Sequence, residues 1–279
     1  MRIPILLSTA LAASAALCSS SAGAQQSFYQ GLRAHNASMA EVQPTWIAPF
    51  IQSDGRLTQA VRFAVSNYSM PGAHPIVYGN NHGATLLVRR RVQFEVDPPS
   101  YFRNHSSTMK DGFGNLGAQM KVRLASGNAQ HGNYAVSAIL MHGFGARASQ
   151  NGALSSYYVP SIAAGKAFGR LALMSTVGGW LPTAKIAAQG RAVEWNMTGQ
   201  IHAAERLWLD LENNSVFVKG SPDDGKLQNM LTPGAFYMIR RASWKPEHPL
   251  FVLGCALQTA TSAHHDYNHN LIAELRVTF

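Results

Sequence analysis

Apolar and polar side chains alternate along residues 271–279. The apolar positions are Leu271, Ala273, Leu275, Val277 and Phe279, and three of the four residues between them are polar. Because successive side chains of a strand point to opposite faces, a period of two predicts a β-strand with one apolar and one polar face. The chain therefore ends in a predicted strand whose two faces meet different environments, one apolar and one polar.

The same alternation recurs from about residue 44 onward. It is sharpest at 115–124, and at 86–96 it holds except where Arg90 breaks it. The alternating segments predict about 12 strands, at 44–52, 57–67, 86–96, 115–124, 132–145, 157–168, 170–181, 193–202, 206–219, 228–241, 249–261 and 271–279. An even number of strands is typical of single-chain bacterial barrels. With a periplasmic C-terminus, the predicted periplasmic turns lie near 68–83, 125–131, 168–170, 203–206 and 242–248.

The pattern predicts an all-β protein, a transmembrane antiparallel up-and-down β-barrel over residues 44–279. Charged residues make up only 13% of the chain, which is low for a soluble domain. The mean hydropathy is nevertheless near zero, as expected for a wall with one face toward lipid and one toward water. The alternative is a soluble β-sandwich, which would bury the apolar face and need protected edges.

The N-terminus is predicted to be a secretory signal peptide, residues 1–24. Arg2 gives it a positive start, residues 3–17 are apolar, and Ala22-Gly23-Ala24 is a small-residue cleavage site. Residues 25–43 are predicted to be a periplasmic tail, because residues 25–42 are polar without a clear period, and a short plug is the alternative for residues 25–42. Export together with a barrel predicts the cell outer membrane as the location. Once Cys18 has left with the signal, Cys255 has no disulfide partner in the chain.

Two resemblances support this interpretation. The apolar positions of 271–279, ending on Phe279, resemble the C-terminal assembly signal of outer-membrane barrels, which implies the barrel assembly machinery as a partner. Residues 112–123, GFGNLGAQMKVR, resemble a strand of the outer-membrane proteins of the phenol meta-cleavage pathway family, although Ala118 and Gln119 depart from that pattern. The likeness extends over residues 112–279. It implies an outer-membrane channel for small aromatic or other hydrophobic compounds and supplies no catalytic residues.

Polar and charged side chains occupy the face that would line the barrel lumen. The candidates are Arg89, Arg91, Glu95, Lys121, Arg123, Glu194, Asn196, Gln200, Glu212, Arg240, Glu274 and Arg276. In the predicted register Arg89, Arg91, Lys121 and Arg123 form a ladder of cations that would favour anions. Opposed charges along a narrow pore give a water-filled path. The alternative is a salt-bridged, plugged lumen that only stiffens the wall.

The predicted function is passive diffusion of small solutes, anionic or aromatic compounds, through an outer-membrane channel without a cofactor. One alternative is a barrel with a filled lumen in a structural or adhesion role. Another is an outer-membrane hydrolase, for which Ser262, His264 and Asp266 supply the residue types but no recognisable spacing. Catalysis is therefore not predicted.

Histidines and basic residues suggest further ligands. His264, His265 and His269 could bind zinc or copper from one loop, and the alternative is a solvated loop. The net charge is +9, which suits contact with outer-membrane lipid and anionic lipopolysaccharide. Nucleic acid is not an expected partner, because the sequence contains no recognisable nucleic-acid-binding motif.

Overall fold

The computed structural model describes residues 30–31, 34–39, 41–80, 82–106, 109–145, 151–239 and 250–279. The predicted signal peptide and the lumen candidate Arg240 lie outside these ranges. Across the described ranges, none of the helices is both long and apolar enough to span a bilayer. A four-residue helix, Ile186–Gln189, lies in one of the loops.

Fifteen strands form one antiparallel sheet. They are β1 (Ala60–Ser69), β2 (Ile76–Gly79), β3 (Ala84–Arg89), β4 (Val92–Asp97), β5 (Tyr101–Arg103), β6 (Gly112–Phe113), β7 (Leu116–Gly127), β8 (Tyr134–Phe144), β9 (Tyr157–Phe168), β10 (Leu171–Pro182), β11 (Arg191–Ala204), β12 (Leu207–Lys219), β13 (Leu227–Ile239), β14 (Leu250–Ala260) and β15 (His269–Thr278). The sheet closes on itself because β1 pairs with β15, from Ala60 opposite Thr278 to Ser69 opposite His269.

The closed wall has twelve strand positions, because β2, β5 and β6 extend positions that β3, β4 and β7 already occupy. β1, for example, pairs with β3 near its start and with β2 farther along. The break between β2 and β3 follows Gly79 and Asn80, whose φ angles are 97° and 46°. Such positive φ angles turn the chain out of the extended conformation. The predicted count of about 12 strands is confirmed.

The two faces of the wall differ as a transmembrane barrel requires. On β12 the side chains of Leu209 and Leu211 are 46% and 49% exposed, whereas Asp210 and Glu212 are buried. The same division of apolar outward and polar inward side chains runs through β10, β11 and β15. A lipid-facing outer surface explains why the exposed face is apolar. The predicted transmembrane β-barrel is confirmed, and the alternative of a soluble sandwich is wrong.

Two strand predictions were wrong, but the total number of strands stayed the same because one predicted strand is absent and another is in fact two strands. Residues 44–52 form no strand, and 86–96 is two strands, β3 and β4, joined by a turn at Arg90 and Arg91. Residues 68–83 were predicted to form a periplasmic turn. The connection found there, at 70–75, instead lies at the opposite end of the barrel from the C-terminus. The physical reason is that the two-residue turn at Arg90 and Arg91 contains neither glycine nor proline, so the sequence shows only an interrupted alternation.

The barrel has two distinct ends. At the short-turn end, two-residue turns join β3 to β4, β9 to β10 and β11 to β12, and β15 finishes there. At the long-loop end, longer connections run at 104–111, 145–156, 183–190, 220–226 and 261–268. Residues 41–59 precede β1, which starts at the short-turn end.

Candidate functional site

Residues 41–59, here called the inner segment, lie inside the barrel without forming a strand. Its Trp46, Phe50 and Leu57 side chains are almost fully buried. Asn128, in the β7–β8 turn, donates a hydrogen bond of 2.7 Å to the carbonyl of Glu41. The amide of Phe279 donates to the carbonyl of Gln59 at 3.0 Å. Both ends of the inner segment are therefore held at the short-turn end, and its middle extends into the lumen.

Glu212, near the middle of β12, holds the inner segment through its backbone. The carboxylate is completely buried and accepts hydrogen bonds from the amides of Phe50 at 2.5 Å, Ile51 at 3.2 Å and Gln52 at 3.3 Å. Successive backbone N–H groups that converge on one anion form a concave binding site for it. Glu212 thus fixes the inner segment to the wall.

The ring of Phe50 is seated against glycines of the wall. It stacks on Phe236, with ring centroids 4.0 Å apart and the planes 13° from parallel. A Cβ added at Gly234 or Gly254 would come within 2.5 Å or 2.6 Å of the Phe50 ring. Because real Cβ atoms do not approach so closely, only glycine leaves room for the ring at these positions.

Asp54 of the inner segment joins two cations. Its carboxylate pairs with Arg56 Nε at 2.8 Å and Lys121 Nζ at 3.6 Å, and Trp46 Nε1 donates to it at 2.8 Å. Burial would raise the pKa of Asp54, but the positive charges of Arg56 and Lys121 outweigh that effect and lower it to about 2. Asp54 is therefore ionised at neutral pH and links the inner segment to β7.

Glu274 on β15 forms a second cluster with two arginines. Its carboxylate lies 2.7 Å from Arg62 Nε and 2.8 Å from an Arg276 guanidinium nitrogen. The same arginines donate to inner-segment carbonyls, Arg62 to Pro49 at 2.9 Å and Arg276 to Ala48 at 2.8 Å. The wall and the inner segment thus share one network of charges and hydrogen bonds.

A cavity of about 370 Å³ remains between the inner segment and the wall. Both charge clusters contribute to its lining, through Asp54, Arg56, Lys121, Arg62 and Arg276. Its other lining residues include Gln52, Glu95, Asp97, Trp46, Met141 and Met238. The lumen is therefore narrowed by the inner segment but not filled by it, and the remaining space has both ionic and apolar walls.

Most of the predicted lumen residues lie on the inner face. These are Glu95, Lys121, Arg123, Glu194, Asn196, Gln200, Glu212, Glu274 and Arg276. The four cations of the predicted ladder occupy two different places, however. Arg89 ends β3 and Arg91 lies in the β3–β4 turn, and both are exposed. Lys121 and Arg123 are buried on the inner face of β7, so two of the four cations lie within the lumen and two are exposed at its short-turn end.

Four charged residues that line the cavity were not among the sequence candidates: Asp54, Arg56, Arg62 and Asp97. Arg62 has the inward parity of β1, between the buried Ala60 and Ala64, so alternation alone could have identified it. Asp54 lies between the predicted strands 44–52 and 57–67 in Ser53-Asp54-Gly55, a turn sequence that indicates a hairpin. No local pattern distinguishes such a turn at the wall from one inside the lumen.

The terminal strand places its apolar residues outward. Leu271, Ala273 and Leu275 are exposed on the outer face, and Val277 and Phe279 are partly exposed. Their role in barrel assembly remains a prediction.

The side chains of the histidine loop are arranged neither as a group of metal ligands nor as a catalytic pair. Within the described ranges, no three histidine, cysteine or acidic residues gather as metal ligands would, so His264, His265 and His269 form no such group. The ring of His265 bonds with the carbonyl of Ser262 at 2.9 Å and the amide oxygen of Asn268 at 3.0 Å. The Ser262 hydroxyl donates to the His264 carbonyl at 2.7 Å instead of to an imidazole. A nucleophile paired with a base is therefore not formed there.

Comparison with known proteins identifies the fold. No family model and no curated relative matches the chain. A crystal structure of an outer membrane channel from Pseudomonas putida F1 superimposes with a TM-score of 0.57 over 84% of this chain and all of that one, at 11% identity. The outer membrane channel DcaP of Acinetobacter baumannii covers 86% of this chain with a TM-score of 0.35 and 12% identity. The first likeness confirms at the level of fold the predicted outer-membrane type of barrel.

Proposed function

We propose that this chain is an outer-membrane channel through which small solutes diffuse past the inner segment. The observation that carries the proposal is the cavity of about 370 Å³ inside a closed wall with an apolar outer surface. A polar, partly open lumen in a lipid-embedded cylinder provides a path for water-soluble compounds. The fold that the chain shares with a solved channel supports the same function.

The lining of the cavity favours small organic solutes with an apolar part. Its volume lies within the range of small-molecule pockets. Trp46, Met141 and Met238 provide apolar surface beside the charged groups. Aromatic compounds therefore remain candidates, whereas the anion preference inferred from the sequence has less support because Arg89 and Arg91 are exposed at the short-turn end.

The short-turn end corresponds to the periplasm, because bacterial barrels have short periplasmic turns and longer extracellular loops. In this orientation the inner segment enters the lumen from the periplasm, downstream of the predicted signal peptide and tail. The long-loop end carries exposed cations that suit the phosphates of lipopolysaccharide, namely Lys110, Lys185, Lys219 and Lys226. Outer-membrane lipid, lipopolysaccharide and the barrel assembly machinery are thus the proposed partners.

Liposome swelling tests the proposal. Vesicles containing the folded protein are diluted into isosmotic solutions of a monosaccharide, an aromatic carboxylate and a trisaccharide. We expect swelling with the small solutes and none with the trisaccharide. A gel shift between heated and unheated samples confirms that the barrel is folded in each preparation. Swelling no faster than in protein-free vesicles would contradict the channel.

A barrel with a filled lumen in a structural or adhesion role is the second candidate. It is favoured by the number of bonds that hold the inner segment, above all the three amides bound to Glu212. In that case every small solute would be excluded although the heat-dependent gel shift is normal. The same swelling assay therefore separates the two candidates.

A further inference from the structure

We infer that the lumen selects cationic solutes, through a carboxylate pair formed by Glu95 and Asp97 on β4. This inference rests on the proposed channel function and specifies the class of solute. It reverses the preference expected from the net charge of +9.

The charge balance of the lumen is the first argument. Among the described residues, five cations face inward: Arg56, Arg62, Lys121, Arg123 and Arg276. Seven carboxylates face them: Asp54, Glu95, Asp97, Glu194, Asp210, Glu212 and Glu274. Counting Arg240, which lies outside the described residues, as a lumen cation would still leave one more carboxylate than cations. Acidic side chains therefore outnumber basic ones in the lumen, and the other described basic residues lie outside it at turns, loops and outward-facing or terminal strand positions.

The pairing of these charges is the second argument. Four of the five cations are committed to Asp54 or Glu274, and Arg123 donates to the carbonyl of Arg90 at 2.6 Å near the short-turn end. By contrast, no cation among the described residues lies within ion-pair distance of Glu95 or Asp97. Glu95 accepts a hydrogen bond from Gln119 Nε2 at 2.9 Å.

Glu95 and Asp97 point to the same side of β4, since they are two residues apart on one strand. Both line the cavity between the inner segment and the wall. The two side chains also hydrogen-bond to each other, which requires a proton between them, and a cation can take the place of that proton. The pair thus offers a passing cation a favourable position inside the channel.

Oxygen atoms without partners lie around the same cavity. Asp97 is 6% exposed, and its Oδ1 has no hydrogen-bond partner among the described residues. Gln52 of the inner segment is 4% exposed, and its Oε1 has no such partner either. Buried acceptors without donors are costly, and an ammonium group, which carries three donors, would satisfy them. The ligand chemistry is that of a small organic ammonium ion.

Zero-current potentials in planar bilayers test the inference. With potassium chloride at about a tenfold concentration difference, we expect K⁺ to be more permeant than Cl⁻ by at least roughly twofold, as for pores lined by acidic side chains. The double variant Glu95→Gln/Asp97→Asn keeps the shape of both side chains and should bring the permeability ratio close to one. Glu205→Gln removes an exposed carboxylate at the β11–β12 turn and should leave the ratio unchanged.

Preference for Cl⁻, or a ratio that the double variant leaves unaltered, would overturn the inference while leaving the channel in place. If no current flows, the heat of binding is measured by titrating methylammonium chloride into the folded protein in detergent, and this shows whether the cation site exists without a channel. Heat released by the wild type but not by the double variant would support the cation site and contradict the channel. If the wild type releases no heat, both the cation site and the channel are contradicted. The heat-dependent gel shift verifies that each variant is folded.

Discussion

Replacing Phe50 with alanine should release the inner segment while leaving the wall intact. Phe50 is fully buried and stacks on Phe236, yet its side chain belongs to the inner segment and takes no part in strand pairing. The substitution therefore weakens the contact between the inner segment and the wall without removing a hydrogen bond of the barrel.

The size of the effect follows from the burial of the ring. Truncating a buried phenylalanine to alanine typically costs about 3–5 kcal/mol, and a stacked aromatic pair accounts for about 0.5–1.5 kcal/mol beyond area burial. At about 3 kcal/mol the ratio of docked to undocked inner segment falls by roughly 150-fold. Glu212 and the charge clusters around Asp54 and Glu274 remain, so the docked state still predominates but opens far more often.

A trisaccharide that wild-type vesicles exclude is the appropriate probe. We expect it to enter vesicles containing Phe50→Ala, and also those containing Gly254→Ala, whose new Cβ would lie 2.6 Å from the Phe50 ring. Gly199→Ala is the matched control, because its Cβ would meet only Leu173, at an ordinary 3.7 Å. Trisaccharide exclusion by correctly folded Phe50→Ala would refute the assignment of Phe50 as an anchor of the inner segment.

Three other substitutions test separate parts of the account. Glu212→Gln should weaken docking by about 2 kcal/mol, because an amide offers the three backbone N–H groups one acceptor oxygen where Glu212 offers two, and a trisaccharide influx equal to that of wild type would argue against it. Leu211→Arg, on the lipid face near the middle of β12, should destabilise the folded barrel in vesicles by about 2–4 kcal/mol. An unchanged urea midpoint of unfolding would contradict a lipid-facing position of Leu211. Asp54→Asn should destabilise the folded state by about 3 kcal/mol at pH 7, since Arg56 and Lys121 lose their partner. The pKa of Asp54 is lowered to about 2 from an ordinary 3.8. The difference in unfolding free energy between wild type and Asp54→Asn should therefore reach its maximum above about pH 4 and become smaller toward pH 2. A difference that does not change with pH would exclude the ion pair as its cause.

The wall strands could be predicted because each of their residues meets one of two environments. The alternation at 157–168 matches β9 (Tyr157–Phe168), and that at 206–219 nearly matches β12 (Leu207–Lys219). Lipid outside and polar groups inside impose opposite demands on neighbouring residues, so a period of two survives wherever the wall is regular.

The inner segment could not be recognised in this way. Residues 44–52 have apolar and polar side chains in a pattern that a strand could also have, but the residues that they contact lie on strands far away in the sequence. Phe50 packs on Phe236, and the carboxylate that binds its amide is 162 residues away. Alternation also identified which wall residues face inward, whereas it contained no information about pairs such as Arg62 with Glu274, which are 212 residues apart.

Single-channel recording of the wild-type protein in planar bilayers is the most direct test of the central claim, that the inner segment narrows a transmembrane pore without closing it. Folded protein, verified by its heat-dependent gel shift, should produce discrete current steps that become larger and more frequent in Phe50→Ala. Absence of steps from both folded proteins would contradict the claim and leave a barrel with a filled lumen.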